Sequence, residues 1–424
     1  MKSEIGSVAV VGLGYVGLPL AVALARTFPT VGVDINKSRI AELFRGHDRT
    51  NELSWEILSS SSLRMTTNIG EAAGADIIIV TVPTPVDAAN QPDLRAVMTA
   101  TASIAAVLVA GAGTIVVYES TVYPGVTEDI CGPELERLSG LTRGSDFFLG
   151  YSPERINPGD RENTVDRILK VVAGESPAVL EKLRRLYGAV TTAGTYPAAS
   201  IKVAEAAKVI ENAQRDINIA FVNEITQIFA KLDISVFDVL EAAQTKWNFL
   251  KFQPGLVGGH CIGVDPYYLS YAATQVGLDP KVLLSGRSIN DNMGAWVADR
   301  VHEQLSGASD LLVLGFSFKE NVPDIRNSRV IDVVRRLQWL GHRVSVHDPL
   351  ADVDEARHEY GLVLESGPLK GRFDGVLVAV AHEAYRRLSL ADLKSVLEGD
   401  GLIADLKGIW RGQDFGPNIR YWSL

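Results

Sequence analysis

The sequence predicts an α/β protein with two Rossmann-like parallel-sheet domains joined by a long central helix. Short β-branched runs alternate with helical stretches in both halves of the chain, a pattern typical of parallel sheets covered on both faces. No glycine or proline occurs between Pro197 and Pro254, which favours one long helix there. The length of 424 residues exceeds what a single hydrophobic core usually serves.

In the first half, a helix is expected at residues 15–27. Strands are expected at 7–11, 31–34, 77–82, 115–119, 147–151 and 170–173. Residues 96–118 carry no formal charge over a membrane-spanning length. Because Gly111 and Gly113 interrupt this stretch, we interpret it as a helix, a turn and a buried strand rather than a membrane span.

The central helix is expected from residue 200 to 231, and it would be roughly 45 Å long. Such a helix can bridge two domains, and its exposed length invites a partner subunit. A second α/β unit follows, with a helix expected at 328–340. Its strands are expected at 310–315, 344–348, 376–381 and 402–405.

Composition limits the class of partner and the compartment. Lys and Arg total 41 against 51 Asp and Glu, and the formal charge of −10 argues against a nucleic acid or an anionic membrane as the main partner. Cys131 and Cys261 are too few for a disulfide framework or a zinc cluster, so we expect no metal site. This cysteine usage and the absence of a signal-peptide pattern at residues 1–4 favour a cytoplasmic protein.

A glycine fingerprint follows the first strand and opens the first helix. It reads Gly12-Leu13-Gly14-Tyr15-Val16-Gly17. Glycines at these positions allow a tight turn, close approach of a pyrophosphate and packing of helix on strand. Asp34 ends the next strand and can bind both ribose hydroxyls, which favours NAD over NADP, although Lys37 and Arg39 lie nearby. The alternative is a glycine turn in an α/β protein that binds no dinucleotide.

Cys261 lies in a glycine-rich loop at residues 255–266. Glycines on both sides let the backbone approach a ligand closely, and Asp265 follows four residues later. These features favour a nucleophilic cysteine. The alternative is a small buried hydrophobic residue.

A polar stripe marks the long helix. Spacings of three and four residues place four side chains on one face, namely Glu205, Lys208, Asn212 and Arg215. A Lys–Asn pair one turn apart could hold a sugar hydroxyl and stabilise an oxyanion. The alternative is a solvated helix face.

Polar residues also follow several predicted strands, where open α/β sheets bind ligands. Glu154 could act as a general base and Arg155 as an anion contact. The other polar segments are the Val82-Pro83-Thr84-Pro85 loop, the Glu119-Ser120-Thr121-Val122 loop, Lys319 and Arg326. For each of these segments, the alternative to a ligand-binding role is an ordinary polar loop.

Taken together, these segments closely resemble the UDP-glucose/GDP-mannose dehydrogenase family, and nearest to them is its branch of UDP-N-acetylglucosamine 6-dehydrogenases of surface-polysaccharide synthesis. The resemblance covers nearly the whole chain. It rests on seven motifs in order: GLGYVGLPLA, VPTP, ESTVYPG, YSPERINPG, AEAAKVIENAQRDINIAFVNE, GLVGGHCIGVDP and GFSFKENVPDIRNSR.

The resemblance implies an NAD-dependent nucleotide-sugar 6-dehydrogenase that transfers two hydrides per UDP-sugar through a cysteine thioester. It implies three domains: an NAD-binding domain at 1–199, a central helical dimerisation domain with the cysteine loop at 200–305, and a nucleotide-sugar-binding domain at 306–424. A homodimer or a higher homo-oligomer is expected.

The resemblance also implies a role for each matching position. The catalytic positions are Cys261 as nucleophile, Lys208, Asn212 and Asp265 as its neighbours, and Glu154 and Thr121, which manage water. The cofactor positions are the glycine fingerprint with Asp34, Arg39, Thr84, Thr121 and Arg326. The substrate positions are Glu154, Arg155, Ile156, Lys208, Asn212, Arg215, Gly258 and Lys319.

Two departures from the glucose-specific branch bear on the sugar. That branch has Phe-Leu where Arg155 and Ile156 stand, and Ser where His260 stands. We therefore expect UDP-N-acetylglucosamine, and also its C4 epimer UDP-N-acetylgalactosamine, with UDP-N-acetylmannosamine and UDP-glucose as alternatives. The basic residue that a neighbouring subunit contributes in the family has no plain match, and Lys246 is the candidate for it.

Two other classes of protein stay open. A two-electron hydroxyacid dehydrogenase shares the dinucleotide domain, the long helix and a Lys–Asn pair, but it would not need Cys261. A non-enzymatic NAD-binding redox sensor would use Cys261 as the sensing thiol, but it would need neither the stripe with Lys208 nor Glu154.

Overall fold

A computed structural model describes residues 4–50, 52–155, 164, 166–259 and 262–424. Two predicted site residues, Ile156 and Cys261, lie outside the described residues, as does His260. The chain divides into two compact units, one formed by Met1–Glu211 with Tyr267–Leu278 and the other by Asn212–Pro266 with Asp279–Leu424. The partition into three domains at residues 199 and 305 stays a prediction.

The first unit contains an eight-stranded sheet in the order β3-β2-β1-β4-β5-β6-β7-β8. Its strands are β1 Val8–Val11, β2 Thr30–Val33, β3 Arg64–Thr66, β4 Ile77–Val80, β5 Thr114–Tyr118, β6 Phe147–Tyr151, β7 Lys170–Gly174 and β8 Thr195–Pro197. Neighbouring strands are parallel except β6 and β7, which are antiparallel. The sequence predicted both strands but not this reversal, because a buried apolar run does not indicate its own direction.

Helices cover both faces of this sheet. Alternate residues of β1 enter two separate clusters, with Val8 and Val10 in one and Ala9 and Val11 in the other. This is the pattern expected for a strand buried on both sides. The helices before the central one are α1 Gly17–Ala25, α2 Lys37–Phe44, α3 Trp55–Ser59, α4 Arg95–Ala105, α5 Gly132–Ser139 and α6 Pro177–Gly188.

The uncharged stretch at 96–118 forms the end of α4, a turn and β5, as the sequence predicted. Within the part of the chain that the structure describes, no helix combines the length and the apolar character needed to cross a membrane.

The central helix α7 spans Ile201–Leu232, within one residue of the prediction at each end, and is about 48 Å long. The predicted alternative of a solvated polar face is wrong for its first turns. Glu205 and Lys208 are buried, whereas the apolar Val203 and Ile210 are about half exposed. The polar stripe therefore packs inward there, and an apolar stripe faces solvent.

The second unit contains a six-stranded, fully parallel sheet in the order β11-β10-β9-β12-β13-β14. Its strands are β9 Asp310–Leu314, β10 Arg343–His347, β11 Leu364–Glu365, β12 Phe373–Val378, β13 Leu397–Asp405 and β14 Arg420–Ser423. The helices that follow α7 are α8 Val236–Ala243, α9 Asp265–Gln275, α10 Lys281–Glu303, α11 Val330–Trp339, α12 Val353–Tyr360, α13 Glu383–Arg386 and α14 Leu390–Val396. Two parallel-sheet units and the long helix confirm the predicted fold class.

Two strands of this sheet differ from prediction, and β12 begins at Phe373 rather than at residue 376. β12 stops at Val378 rather than at residue 381, because the backbone N–H groups of Ala379 and Val380 both donate to the Leu314 carbonyl and end the ladder. β13 begins at Leu397 rather than at residue 402, since polar residues and glycines at 398–401 hide its first half from an apolar pattern.

Candidate active site

The glycine fingerprint forms the turn between β1 and α1. Gly12 has a φ of +99°, which favours glycine. A Cβ on Gly17 would lie 1.9 Å from the Gly12 carbonyl oxygen, so this position requires close backbone packing. A Cβ on Gly14 would meet nothing within 4 Å, which leaves open space beside the helix N-terminus. Glycine therefore serves sterically at two positions, and the third leaves room for a phosphate.

The other fingerprint residues contribute mainly backbone. The side chains of Leu13 and Val16 are buried in the core, and Tyr15 is half-buried. Asp34 follows β2 directly. Its Oδ2 accepts a hydrogen bond from the Leu13 N–H at 2.8 Å, and its Oδ1 accepts one from the Asn36 N–H at 2.8 Å. The carboxylate is thus fixed beside the turn with lone pairs left over for ribose hydroxyls.

Arg39 also holds this turn in place. Its Nε donates to the Leu13 carbonyl at 2.9 Å, and its guanidinium donates to Asp48 at 2.7 Å. Burial tends to raise the pKa of Asp48, but hydrogen bonds from Thr50 and Arg39 and the charge of Arg39 bring it below its ordinary value. Because Arg39 is only 4% exposed and paired with Asp48, it does not present a cation that would attract a 2′-phosphate.

Three predicted site residues lie at the carboxyl edge of the first sheet. Thr84, Thr121 and Glu154 follow the neighbouring strands β4, β5 and β6. The Ser120 hydroxyl donates to the Val82 carbonyl at 2.6 Å and ties the first two of these loops together. Thr84 and Glu154 are buried and Thr121 is half-buried. This edge is where an open α/β sheet binds its ligands.

A buried polar cluster that the sequence did not predict lies beside Glu154. Lys170 forms an ion pair with Glu119, and the Tyr187 hydroxyl donates to Glu119 at 2.7 Å. Burial raises the pKa of Glu119 to about 7, although Lys170 and Tyr187 favour its ionised form and Glu154 raises it further. The signal in the sequence was a lysine at the start of the apolar strand β7, which is rarely tolerated without a partner.

On α7, Glu205 and Lys208 are one turn apart and buried. Glu205 accepts hydrogen bonds from the backbone N–H groups of Gly125 at 2.6 Å and Thr127 at 2.9 Å. Burial raises its pKa to about 7 because these donors only partly offset the loss of solvent. Glu205 therefore anchors the segment that follows Thr121.

Arg155 forms an ion pair with Glu211, in the third turn of α7. Its side chain is about one-third exposed.

In the second unit, two predicted catalytic residues meet. The Asn212 side-chain amide donates to Asp265 Oδ2 at 2.5 Å, although 53 residues separate them in the chain. Asp265 is 2% exposed and begins α9. A buried carboxylate that accepts this bond fixes the orientation of the Asn212 amide. Arg215, three residues farther along α7, is exposed.

Two predicted substrate residues share a small pocket of about 40 Å³ in the second unit. Gly258 and Lys319 both line it, with Lys319 in the loop after β9. A Cβ on Gly258 would lie 2.5 Å from the Asn327 carbonyl oxygen, so only glycine fits. A larger pocket of about 370 Å³ in the same unit is lined by three cations, Arg386, Lys407 and Arg411, and by two acids, Glu241 and Glu320. In the small pocket, Lys319 provides a cation that can contact an anionic ligand.

Arg326, predicted at a cofactor position, forms an ion pair with Asp324 at 2.5 Å. This pair lies in the turn between β9 and α11, seven residues beyond Lys319.

Comparison with known proteins identifies the family. Three models of the UDP-glucose/GDP-mannose dehydrogenase family match in order: its NAD binding domain at residues 6–191, its central domain at 202–292 and its UDP binding domain at 312–412. The chain belongs to the UDP-glucose/GDP-mannose dehydrogenase family. This membership confirms the resemblance found in the sequence, the NAD cofactor and the prediction of an NAD-dependent nucleotide-sugar 6-dehydrogenase.

Relatives within the UDP-glucose/GDP-mannose dehydrogenase family are similar over nearly their whole length. Protein CapL of Staphylococcus aureus is 49% identical, covering 99% of each chain. The UDP-N-acetyl-D-glucosamine 6-dehydrogenase of Pseudomonas aeruginosa is 49% identical over 94% of this chain and 96% of its own. Among solved structures, a UDP-D-ManNAc dehydrogenase from Pyrococcus horikoshii is similar with a TM-score of 0.86, at 27% identity and 98% coverage of both chains.

Proposed function

We propose that this protein oxidises the C6 alcohol of UDP-N-acetylglucosamine to the uronic acid with two NAD⁺, and accepts UDP-N-acetylgalactosamine as well. The observation that carries the sugar assignment is the 49% identity to a UDP-N-acetyl-D-glucosamine 6-dehydrogenase. Arg155 and Ile156, at positions where the glucose-specific branch differs, support an N-acetylated sugar.

The two oxidations require a covalent step between them. NAD⁺, when bound beside the glycine fingerprint and Asp34, would supply the hydride acceptor for both oxidations. The first oxidation turns the alcohol into an aldehyde, and a second hydride cannot leave this carbonyl until its carbon is tetrahedral. The Cys261 thiolate adds to the carbon, and loss of hydride from the resulting thiohemiacetal gives a thioester. Water releases the acid and regenerates the thiol.

The remaining site residues fit this sequence of steps. Lys208 and Asn212, one turn apart on α7, stabilise the oxyanion of the tetrahedral species. Asp265 orients the Asn212 amide through its 2.5 Å hydrogen bond. Glu154 and Thr121 follow adjacent strands and position the attacking water.

The NAD site is built from backbone and one acid. The open space beside Gly14 fits a pyrophosphate at the N-terminus of α1, and Asp34 fits the adenosine ribose. Thr84, Thr121 and Arg326 complete the proposed contacts. Lys319 and Gly258 hold the diphosphate of the sugar nucleotide. Other parts of the substrate are contacted by Arg155, Ile156 and Arg215.

We further propose a homodimer formed through α7. Five apolar residues on one stripe of this helix are between 49% and 59% exposed, namely Val203, Ile210, Phe221, Ile228 and Leu232. Spacings of seven, eleven, seven and four residues keep them on one face. Such an exposed apolar stripe marks an interaction surface, and a second copy would bury it symmetrically.

The proposed setting is the cytoplasm, with the product used in surface-polysaccharide synthesis. The family resemblance supports this setting, and the acidic composition and sparse cysteines fit it.

Side-by-side kinetics test the sugar assignment. NADH formation would be followed with UDP-N-acetylglucosamine, UDP-N-acetylgalactosamine, UDP-N-acetylmannosamine and UDP-glucose. We expect the highest kcat/KM for UDP-N-acetylglucosamine. UDP-glucose should be roughly tenfold to a hundredfold poorer, since it leaves buried polar groups of the acetamido site unpaired. A higher kcat/KM for UDP-glucose or UDP-N-acetylmannosamine would overturn the sugar assignment and leave the mechanism standing.

A further inference from the structure

The loop that carries Lys319 is held by the end of the neighbouring strand β10. Asp348 follows β10 as Asp34 follows β2 in the first unit, but Asp348 is fully buried. Its Oδ2 accepts hydrogen bonds from the backbone N–H groups of Phe316 at 2.7 Å and Ser317 at 2.9 Å. The acid that would bind a ribose in a dinucleotide site is therefore used here to fix the loop.

His382 holds the same loop from the other side, because it follows β12, the other neighbour of β9 in the sheet. It is 1% exposed. Its Nδ1 accepts a hydrogen bond from the Asn321 backbone N–H at 2.9 Å, and its Nε2 lies 3.1 Å from Asp348 Oδ2 and 3.0 Å from Ser317 Oγ. Because Nδ1 accepts, the neutral ring carries its proton on Nε2 and donates it to Asp348.

A second bond closes this arrangement. Asn321 has a φ of +60°, and its Oδ1 accepts a hydrogen bond from the Glu383 N–H at 2.8 Å. The loop is thus tied down at Ser317 and at Asn321, two residues on either side of Lys319. The lysine is half-buried and lines the pocket beside Gly258.

We propose that His382 is a positioning residue for Lys319, holding its loop so that the ammonium group faces the diphosphate of the nucleotide sugar. This inference rests on the proposed function. A lysine is long and flexible, and a fixed backbone reduces the freedom that binding must remove. Since Lys319 contacts a part of the substrate far from the reacting C6, the bond to Asn321 strengthens binding of substrate and transition state equally, which lowers KM and leaves kcat unchanged.

Two substitutions separate the contacts of the ring. In His382→Asn, the side-chain oxygen reaches the position of Nδ1 and can still accept from Asn321. In His382→Gln, the side-chain amide reaches the position of Nε2 and can still donate to Asp348, but the acceptor for Asn321 is lost. His347→Gln is the matched control, because His347 is a buried histidine of the same unit that bonds Tyr385 and Gly367 instead.

The measurements are KM and kcat for UDP-N-acetylglucosamine, KM for NAD⁺, and the Kd of UDP by calorimetry. We expect His382→Gln to raise the KM for the sugar nucleotide and the Kd of UDP about tenfold, with kcat and the KM for NAD⁺ unchanged. His382→Asn should recover most of this loss, and His347→Gln should match the unaltered protein.

Other outcomes contradict the inference. If His382→Gln and the unaltered protein bound UDP equally well, the role of His382 would be overturned and the proposed function would stand. A rise in the KM for NAD⁺ in His382→Gln, or an equal defect in His382→Asn, would have the same consequence. Failure of the unaltered protein to bind UDP would overturn the proposed function as well. If His382→Gln does not fold, Asn321→Gly is the second variant. Its position is exposed, and glycine keeps the positive φ but removes the hydrogen bond to the Glu383 N–H, so the KM for the sugar nucleotide should rise severalfold. An unchanged KM in Asn321→Gly would contradict the proposal that this loop must be held in place.

Discussion

At the scale of single residues, the cofactor turn is controlled by two side chains with opposite charge. Asp34 accepts from the Leu13 N–H, and Arg39 donates to the Leu13 carbonyl, so both backbone polar groups of Leu13 are held. Arg39 is buried against Asp48, while Asp34 stays at the edge of the turn. The charge available to a cofactor there is therefore negative, which favours NAD.

Asp34→Ala should weaken this preference for NAD. It removes two charge-assisted hydrogen bonds to ribose, each worth about 1.5–3 kcal/mol, and it removes the repulsion of a 2′-phosphate. Affinity for NAD should fall, and NADP should improve relative to it, as measured by Kd for both cofactors. Asn36→Ala is a local control, since Asn36 caps α2 without contributing a charge. An unchanged ratio of NAD to NADP affinity would show that Asp34 does not contact the ribose.

The sequence revealed some site residues and not others for a physical reason. The glycine fingerprint and Asp34 act through local geometry, so their spacing alone predicted their place. Glu119 and Lys170 are 51 residues apart, and only the strand order β5-β6-β7 brings them together. Strand order depends on tertiary packing, which no local pattern records.

At the scale of elements, α7 illustrates the same limit. Its ends were predicted within one residue, because glycine and proline are absent from it and from the residues around it. Its buried face was not predicted, since polar and apolar residues occur on both sides. The Glu205 carboxylate is buried because two backbone N–H groups donate hydrogen bonds to it, whereas Ile210 faces solvent.

The outward stripe of α7 gives a prediction about assembly. Phe221 is 55% exposed at the middle of the stripe, so Phe221→Glu would place a charge in a dimer interface and desolvate it there. The variant should be monomeric by analytical ultracentrifugation, whereas the unaltered chain should be a dimer. Val363→Glu, at an exposed apolar position outside α7, is the control. A Phe221→Glu variant that sediments with the unaltered protein would rule out this surface.

At the scale of the whole molecule, two α/β units of similar plan have taken different roles. In the first, the acid after the second strand stays at the edge of the glycine turn, where a ribose can reach it. In the second, Asp348 is buried and holds the loop that follows β9, and that loop presents Lys319 instead. The sequence predicted both sheets from alternating strands and helices, but this difference in use depends on side-chain orientation and was visible only in the structure.

The number of hydrides removed from each sugar tests the central claim, a four-electron oxidation through Cys261, most directly. A limiting amount of UDP-N-acetylglucosamine would be converted to completion with excess NAD⁺, and NADH and the acid product would be counted. The chain offers a matched pair of cysteine variants for this measurement. Cys261→Ser should block formation of the acid, whereas Cys131→Ser alters a fully buried core thiol and should keep the ratio of the unaltered protein.

The account predicts two NADH and one uronic acid for each sugar nucleotide consumed by the unaltered protein. The second hydride can leave only once the carbon is tetrahedral, so the ratio counts the two oxidations, and the loss of acid in Cys261→Ser shows that the cysteine makes the carbon tetrahedral. A ratio of one NADH per sugar, with an aldehyde or ketone as the product, would contradict the account and favour a two-electron dehydrogenase.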